Sequence, residues 1–238
     1  MSKKTLIAYV DGFNLYNGIH ETFSHRYLWL DLVKVLQMLR PSHKILRVNY
    51  FTAPLLDDPD AQSRQATYWN ALTAMHGNLV PIITGRYQRS TYTCKDCGSE
   101  RPKYEEKETD VNLALTIARD AATQEATDYY LISGDSDAAP AIREAQRINP
   151  TGFYKAYFPP SRKSEELTAL MPASEVIGRT RLRDAQLPEV VHGPNGQKHV
   201  QPLKWRPETF LDDGLPASPR PPVSVTPADL ARFHRNHS

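Results

Sequence analysis

Five oxygen-bearing side chains stand where a short apolar run gives way to a polar turn or a helix. Asp11 follows the run Thr5–Val10, and Asn14 comes one helical turn later. Asp135 follows Tyr129–Ser133 across Gly134, and Asp137 enters the next helical segment. Asp110 opens the helix-period segment just ahead of that second run. If the two runs are neighbouring strands, four carboxylates and one carboxamide share one edge. Packed like charges repel and raise each other's pKa unless a cation compensates. Hard oxygen ligands suit Mg²⁺ or Mn²⁺. Such ions activate water and stabilise an in-line phosphoryl transition state. Each Asp also has a plainer role open to it. An Asp between strand and helix is a common N-cap, and Asp110 and Asp137 suit the helix macrodipole in a first turn. The chemical reading rests on the set.

The elements that must position these groups alternate. Strand-length apolar runs occur at Thr5–Val10, Ile45–Thr52, Leu79–Thr84, Tyr129–Ser133 and Phe153–Phe158. Between them, helical spacing marks Leu30–Arg40, Ala61–His76, Thr109–Ala122 and Ser136–Ile148. Near-continuous apolar strands alternating with helices predict a mostly parallel, doubly wound α/β sheet with helices on both faces. Ligands of such sheets bind at the carboxyl ends of the strands, where the carboxylates fall.

The chain has 238 residues, with 29 Lys and Arg against 27 Asp and Glu. A net charge of +2 excludes a polybasic binder that holds nucleic acid by bulk electrostatics. No apolar run reaches the roughly 18 residues of a membrane helix, and the one after Lys4 stops at Asp11, too short for a signal peptide. Two cysteines make no disulfide framework. A cytoplasmic protein without a membrane partner is expected. Nine of the 19 prolines lie from Pro188 onward. So polar a segment buries too little apolar surface to offset its ordering entropy. The expected division is a folded domain over 1–187 and an extended or partly disordered Pro-rich tail over 188–238, with Trp205 and Phe210 as candidates for local docking.

Three segments together resemble the motif blocks of the NYN domain family, a branch of the PIN-like ribonucleases. They are YVDGFNLYNGI at 9–19, KETDVNLALTIARDA at 107–121 and YYLISGDSDAAPAIREA at 129–145. The resemblance covers about 5–178. It implies a doubly wound α/β fold and a metal-dependent nuclease site using Mg²⁺ or Mn²⁺. The family's acidic positions fall on Asp11, Asp110, Asp135 and Asp137, and its polar position after the first strand on Asn14. Position 138 is Ala where relatives often carry a bulkier apolar residue, which implies a packing change.

An insertion arm at about 85–107 leads into Asp110. Arg86, Arg89, Lys95, Arg101 and Lys103 outnumber Asp96 and Glu100 there, and Tyr87, Tyr92 and Tyr104 are interleaved. Cations can take phosphates while rings stack bases, which suits single-stranded RNA. Arg86, Tyr87, Arg89, Tyr92 and Lys103 are the candidate RNA contacts. The plainer alternative is a solvated hairpin whose tyrosines fold back on the body. Cys94 and Cys97 have zinc-knuckle spacing, but no second CxxC exists. They are half of a Zn²⁺ site completed by His20, His25, His76 or a second chain, or else a reduced, metal-free turn.

A serine hydrolase lacks its Gly-x-Ser-x-Gly elbow, and neither common Gly-rich phosphate loop occurs. A haloacid-dehalogenase-type phosphatase wants Asp-x-Asp after the first strand, where position 13 is Phe. Two readings stand: a metal-dependent endoribonuclease, and a non-catalytic PIN-like module that binds RNA or protein. A protein partner held through the tail, or a homodimer, is compatible with either.

Overall fold

The computed structural model describes residues 3–56, 58–93, 100–194 and 196–206. In chain order the elements are β1 (Thr5–Asp11), α1 (Gly12–Phe23), α2 (Leu32–Leu39), β2 (Lys44–Thr52), α3 (Pro59–His76), β3 (Ile82–Thr84), β4 (Arg86–Thr93), β5 (Glu100–Lys107) and α4 (Thr109–Thr123). Then follow β6 (Asp128–Ile132), α5 (Ala139–Ile148), β7 (Phe153–Phe158), α6 (Glu165–Leu170), β8 (Glu175–Val176), α7 (Arg179–Asp184), β9 (Val190–His192) and β10 (Lys198–Val200).

Six strands form one parallel sheet in the order β3-β2-β1-β6-β7-β8. Strand alternation explains why β1 is apolar throughout. Leu6, Ala8 and Val10 face a core shared with α1, α2 and α3. Ile7 and Tyr9 face the other core, against α4 and α5. The chain winds one way from β1 to β3 and the other way from β6 to β8. The order therefore reverses between β1 and β6, which opens a crevice at their carboxyl ends.

Capping sets several helix starts. Asp31 accepts a hydrogen bond from the Lys34 N–H ahead of α2, and Asp58 from the Ala61 N–H ahead of α3. Two segments differ from the sequence reading. The run Leu79–Thr84 yields only the three residues of β3, because a 3₁₀ turn occupies Gly77–Leu79 and Pro81 follows it. Helix α1 is not among the periodic segments. Its buried face is narrow, made by Gly12, Leu15, Gly18 and Ile19. Packing holds it: a Cβ on Gly18 would lie 2.7 Å from Pro159 and from the Pro160 carbonyl.

Residues 188–194 and 196–206, read above as the start of the tail, pack on the body instead. β9 and β10 pair antiparallel. Trp205 is 5% exposed and meets Trp29 and Tyr68 at ring-centroid distances of 6.4 and 6.1 Å. The Trp29 indole N–H donates to the Pro188 carbonyl at 2.8 Å. One large aromatic side chain supplies the burial that the composition of this stretch lacks. The tail beyond residue 206, and Cys94 and Cys97 with the zinc reading, lie outside the described residues. Among the described residues, no helix is long and apolar enough to cross a membrane.

Trp205→Ala should cost about 3 kcal/mol of unfolding free energy. Urea denaturation followed by circular dichroism measures it. An unchanged midpoint would mean that this segment is not part of the cooperative fold.

Candidate active site

Asp11 ends β1 and caps α1 by accepting the Asn14 N–H at 3.0 Å. Its second oxygen accepts the Ser133 hydroxyl at 3.0 Å. Ser133 is buried just past β6 and also accepts the Asp135 N–H at 3.0 Å. Asp135 in turn accepts the Asp137 N–H at 3.0 Å and so starts the 3₁₀ turn Ser136–Ala138. The Asn14 side-chain oxygen accepts the Gly134 N–H at 2.8 Å. Asn14 thus holds the loop that carries Asp135. Gly134 has no room for a side chain, since a Cβ there would lie 1.6 Å from the Arg162 carbonyl. Helix α4 crosses over the sheet toward β6 and brings Asp110 in its first turn.

Asp11, Asp110, Asp135 and Asp137 line one small concavity together with Ser133, Leu113 and Ala138. Asp11 and Asp135 are partly buried, whereas Asp110 and Asp137 are exposed. Burial pushes the Asp11 carboxyl above the usual range. The Asn14 N–H and Ser133 hydroxyl oppose the rise, and the charges of Asp110 and Asp135 add to it. Four carboxylates with hydroxyl and amide oxygens beside them fit a hard divalent ion in donor chemistry. Their present rotamers do not gather around one point: among the described residues no three His, Cys, Asp or Glu groups form a ligand set. The capping bonds explain this, because the Asp11 and Asp135 oxygens point at backbone N–H groups and at Ser133.

The cap role and the clustered placement coexist at Asp11 and Asp135. Ser133 was passed over at the sequence level. Its only signal is its place between an apolar strand and Gly134, a context shared by many buried serines.

The insertion is a regular antiparallel ribbon of eight cross-strand pairs, from Arg86↔Lys107 to Thr93↔Glu100. Arg86 is ion-paired with Glu108. Glu108 takes a left-handed φ of 82° just before α4. Arg86 therefore ties the foot of the ribbon to the start of the helix bearing Asp110. Tyr87 is half-buried. The side chains of Arg89, Tyr92 and Lys103 lie outside the described residues.

An acid whose pKa rises on folding holds its proton more tightly in the folded state. Its charge opposes folding above that pKa, and the penalty fades as pH falls through it. Asp11→Asn keeps an acceptor for the cap and removes the charge, so it should melt at the same or a higher temperature at pH 7. That advantage should shrink toward pH 4. Asp11→Ala loses the cap and the Ser133 partner, at about 1 kcal/mol each. Thermal melts of both variants across pH check the order, and a destabilised Asp11→Asn would assign the charge itself a structural role.

The chain is 26% identical over 234 residues to 6-hydroxy-3-succinoylpyridine 3-monooxygenase HspA of Pseudomonas putida, covering 83% of this chain and 74% of that protein. The crystal structure of a Vibrio parahaemolyticus protein of unknown function superposes with a TM-score of 0.53. It is 18% identical and covers 78% of this chain and 97% of its own, which speaks to fold alone. A family profile described as the NYN domain matches residues 6–169. With that match spanning most of a parallel sheet that carries its acidic residues at the order reversal, the chain belongs to the NYN domain family.

Proposed function

We propose that this protein is a divalent-metal-dependent endoribonuclease. The observation that carries the reading is the placement of Asp11, Asp110, Asp135 and Asp137 around one concavity at the carboxyl ends of β1 and β6. Asp11, Asp110 and Asp135 would hold Mg²⁺ or Mn²⁺, with Asp137 beside a second ion or orienting water. Such an ion, when bound, supplies a more acidic water and a countercharge for the phosphoryl oxygens. Ser133 orients the Asp11 carboxylate and fixes the Asp135 backbone. Asn14 keeps the two strand ends at a set separation. The rival, RNA held without cleavage, draws on the ligand set that is not gathered. The oxygenase named above gives another chemistry for a related chain, and 26% identity does not carry a reaction from one chain to the other.

Incubation of a short single-stranded RNA with Mg²⁺ or Mn²⁺, and with EDTA, tests the reading. Cleavage should need the metal. Asp11→Asn and Asp135→Asn should each lower it on the order of 10²–10³-fold or more, since several kcal/mol of charge stabilisation are lost. Ser133→Ala acts one bond away and should cost roughly 10–100-fold. RNA left intact with either metal, yet bound, would select the rival.

The ribbon supplies a second expectation. Arg86 is engaged by Glu108, so Arg89 and Lys103 are the better candidates for RNA phosphates. Replacing both by Ala should flatten the log–log salt dependence of binding by about 1.4, at ~0.7 per contact. Fluorescence anisotropy at several salt concentrations measures the slope, and an unchanged slope would retire the ribbon as a binding element.

A further inference from the structure

A cavity of about 280 Å³ lies next to the carboxylates, between α1, the end of β2 and α3. Ligand pockets commonly run about 300–1,000 Å³, so this one takes a single ring system. It adjoins the candidate active site directly. Gly12, the residue after Asp11, lines it, and a Cβ on Gly12 would lie 2.8 Å from the Tyr50 ring. Burial first, and then the nearby Asp11 charge, hold the Tyr50 phenol protonated.

The walls are aromatic: Tyr50, Tyr68, Trp69 and Trp205. Tyr68 meets Tyr50 edge-to-face at 84° and Trp205 at 79°. Each edge-to-face pair covers a face of only one of its two rings. Trp205 is 5% exposed, and its indole N–H is closed off without an acceptor among the described residues, so this residue gives the cavity ring surface rather than a donor. Arg64 also lines the cavity, and no described carboxylate lies within ion-pair distance of it. Charges of both signs surround the cavity: Asp11 acts on Tyr50 and Asp58 on Tyr16, while burial first, and then Lys204, His20 and Arg64, hold the nearby His25 imidazole down at about 4.

We propose that this cavity is a binding site for one planar heteroaromatic ring carrying an anionic group. The ring packs against the tyrosine and tryptophan walls, and Arg64 takes the anion. Two sources share that chemistry: a nucleotide of an RNA strand, whose phosphodiester then runs toward the carboxylates, and a free heteroaromatic acid. The site stands independently of cleavage, so its test reads binding alone.

Trp69 and Trp205 line the cavity, so occupancy should change tryptophan fluorescence. The full-length protein is titrated with uridine 5′-monophosphate, with nicotinate and with uncharged nicotinamide. A saturable quench by either anionic ligand is expected. Arg64→Ala should weaken that ligand about tenfold and leave nicotinamide unaffected. Ala61→Trp, which fills the cavity, should abolish binding by all three. Arg64 is half-exposed and has no described ion-pair partner, so its variant keeps the fold even where the filled one does not. Preference for the nucleotide assigns the site to the RNA strand, and preference for nicotinate to a free acid. The absence of a saturable quench by either anion, or affinities unmoved by Arg64→Ala, overturns the proposal.

Discussion

Two hydrogen bonds between the ends of β1 and β6 hold the part of the molecule on which everything else depends. The Ser133 hydroxyl donates to Asp11, and the Gly134 N–H donates to the Asn14 side chain. These strands are hydrogen-bonded neighbours only because the sheet order reverses between them. The helices that follow them, α1 and α5, lie on opposite faces. The crevice between those helices is where a parallel sheet leaves backbone ends open to a ligand. The β1–β6 ladder sets the separation of the strand ends, and these two cross-links extend it to the loop carrying Asp135.

The same cross-links also bring like charges together. Asp11 is raised by burial first and by Asp110 and Asp135 next. Three acceptor bonds, at Asp11 and Asp135, offset part of that repulsion locally. Elsewhere the fold treats a buried carboxylate differently. Asp120 is 1% exposed and is neutralised outright by Arg47 and Arg119, with the Tyr9 hydroxyl donating to it as well. Asp11 is held instead by the Asn14 N–H and the Ser133 hydroxyl. A buried carboxylate balanced by arginines is a structural solution, whereas one held by neutral donors beside like charges keeps a raised pKa.

The aromatic cavity has its own origin. Helix α3 brings Tyr68 and Trp69, β2 brings Tyr50, and the chain after β10 returns to add Trp205. The segment that closes this wall is the one whose composition reads as tail. A proline-rich stretch can dock when one large ring finds a socket, because that ring's burial outweighs the ordering of a few residues. The Trp29 indole, bonded to the Pro188 carbonyl, fixes where the returning chain begins.

The sequence by itself determined the sheet and its edge. Runs such as Leu6–Val10 and Tyr129–Ile132 are apolar on both faces, which only a covered parallel strand tolerates, and a turn aspartate follows each of them. The end of the helical segment Ala61–His76 also fell in place, where Gly77 takes a φ of +53°. Tertiary structure decided the rest, because those features depend on contacts distant in the chain. Helix α1 exists by packing on Pro159 and Pro160, since Leu15 and Ile19 make too narrow a stripe to reveal it. The Leu79–Thr84 strand shrinks because Pro81 cannot donate to a ladder. Ser133 gains its role from Asp11, 122 residues away. Arg86 turns from a free cation into the partner of Glu108 only once β4 and β5 pair. Local pattern reports which residues must be covered, and only the folded chain reports what covers them.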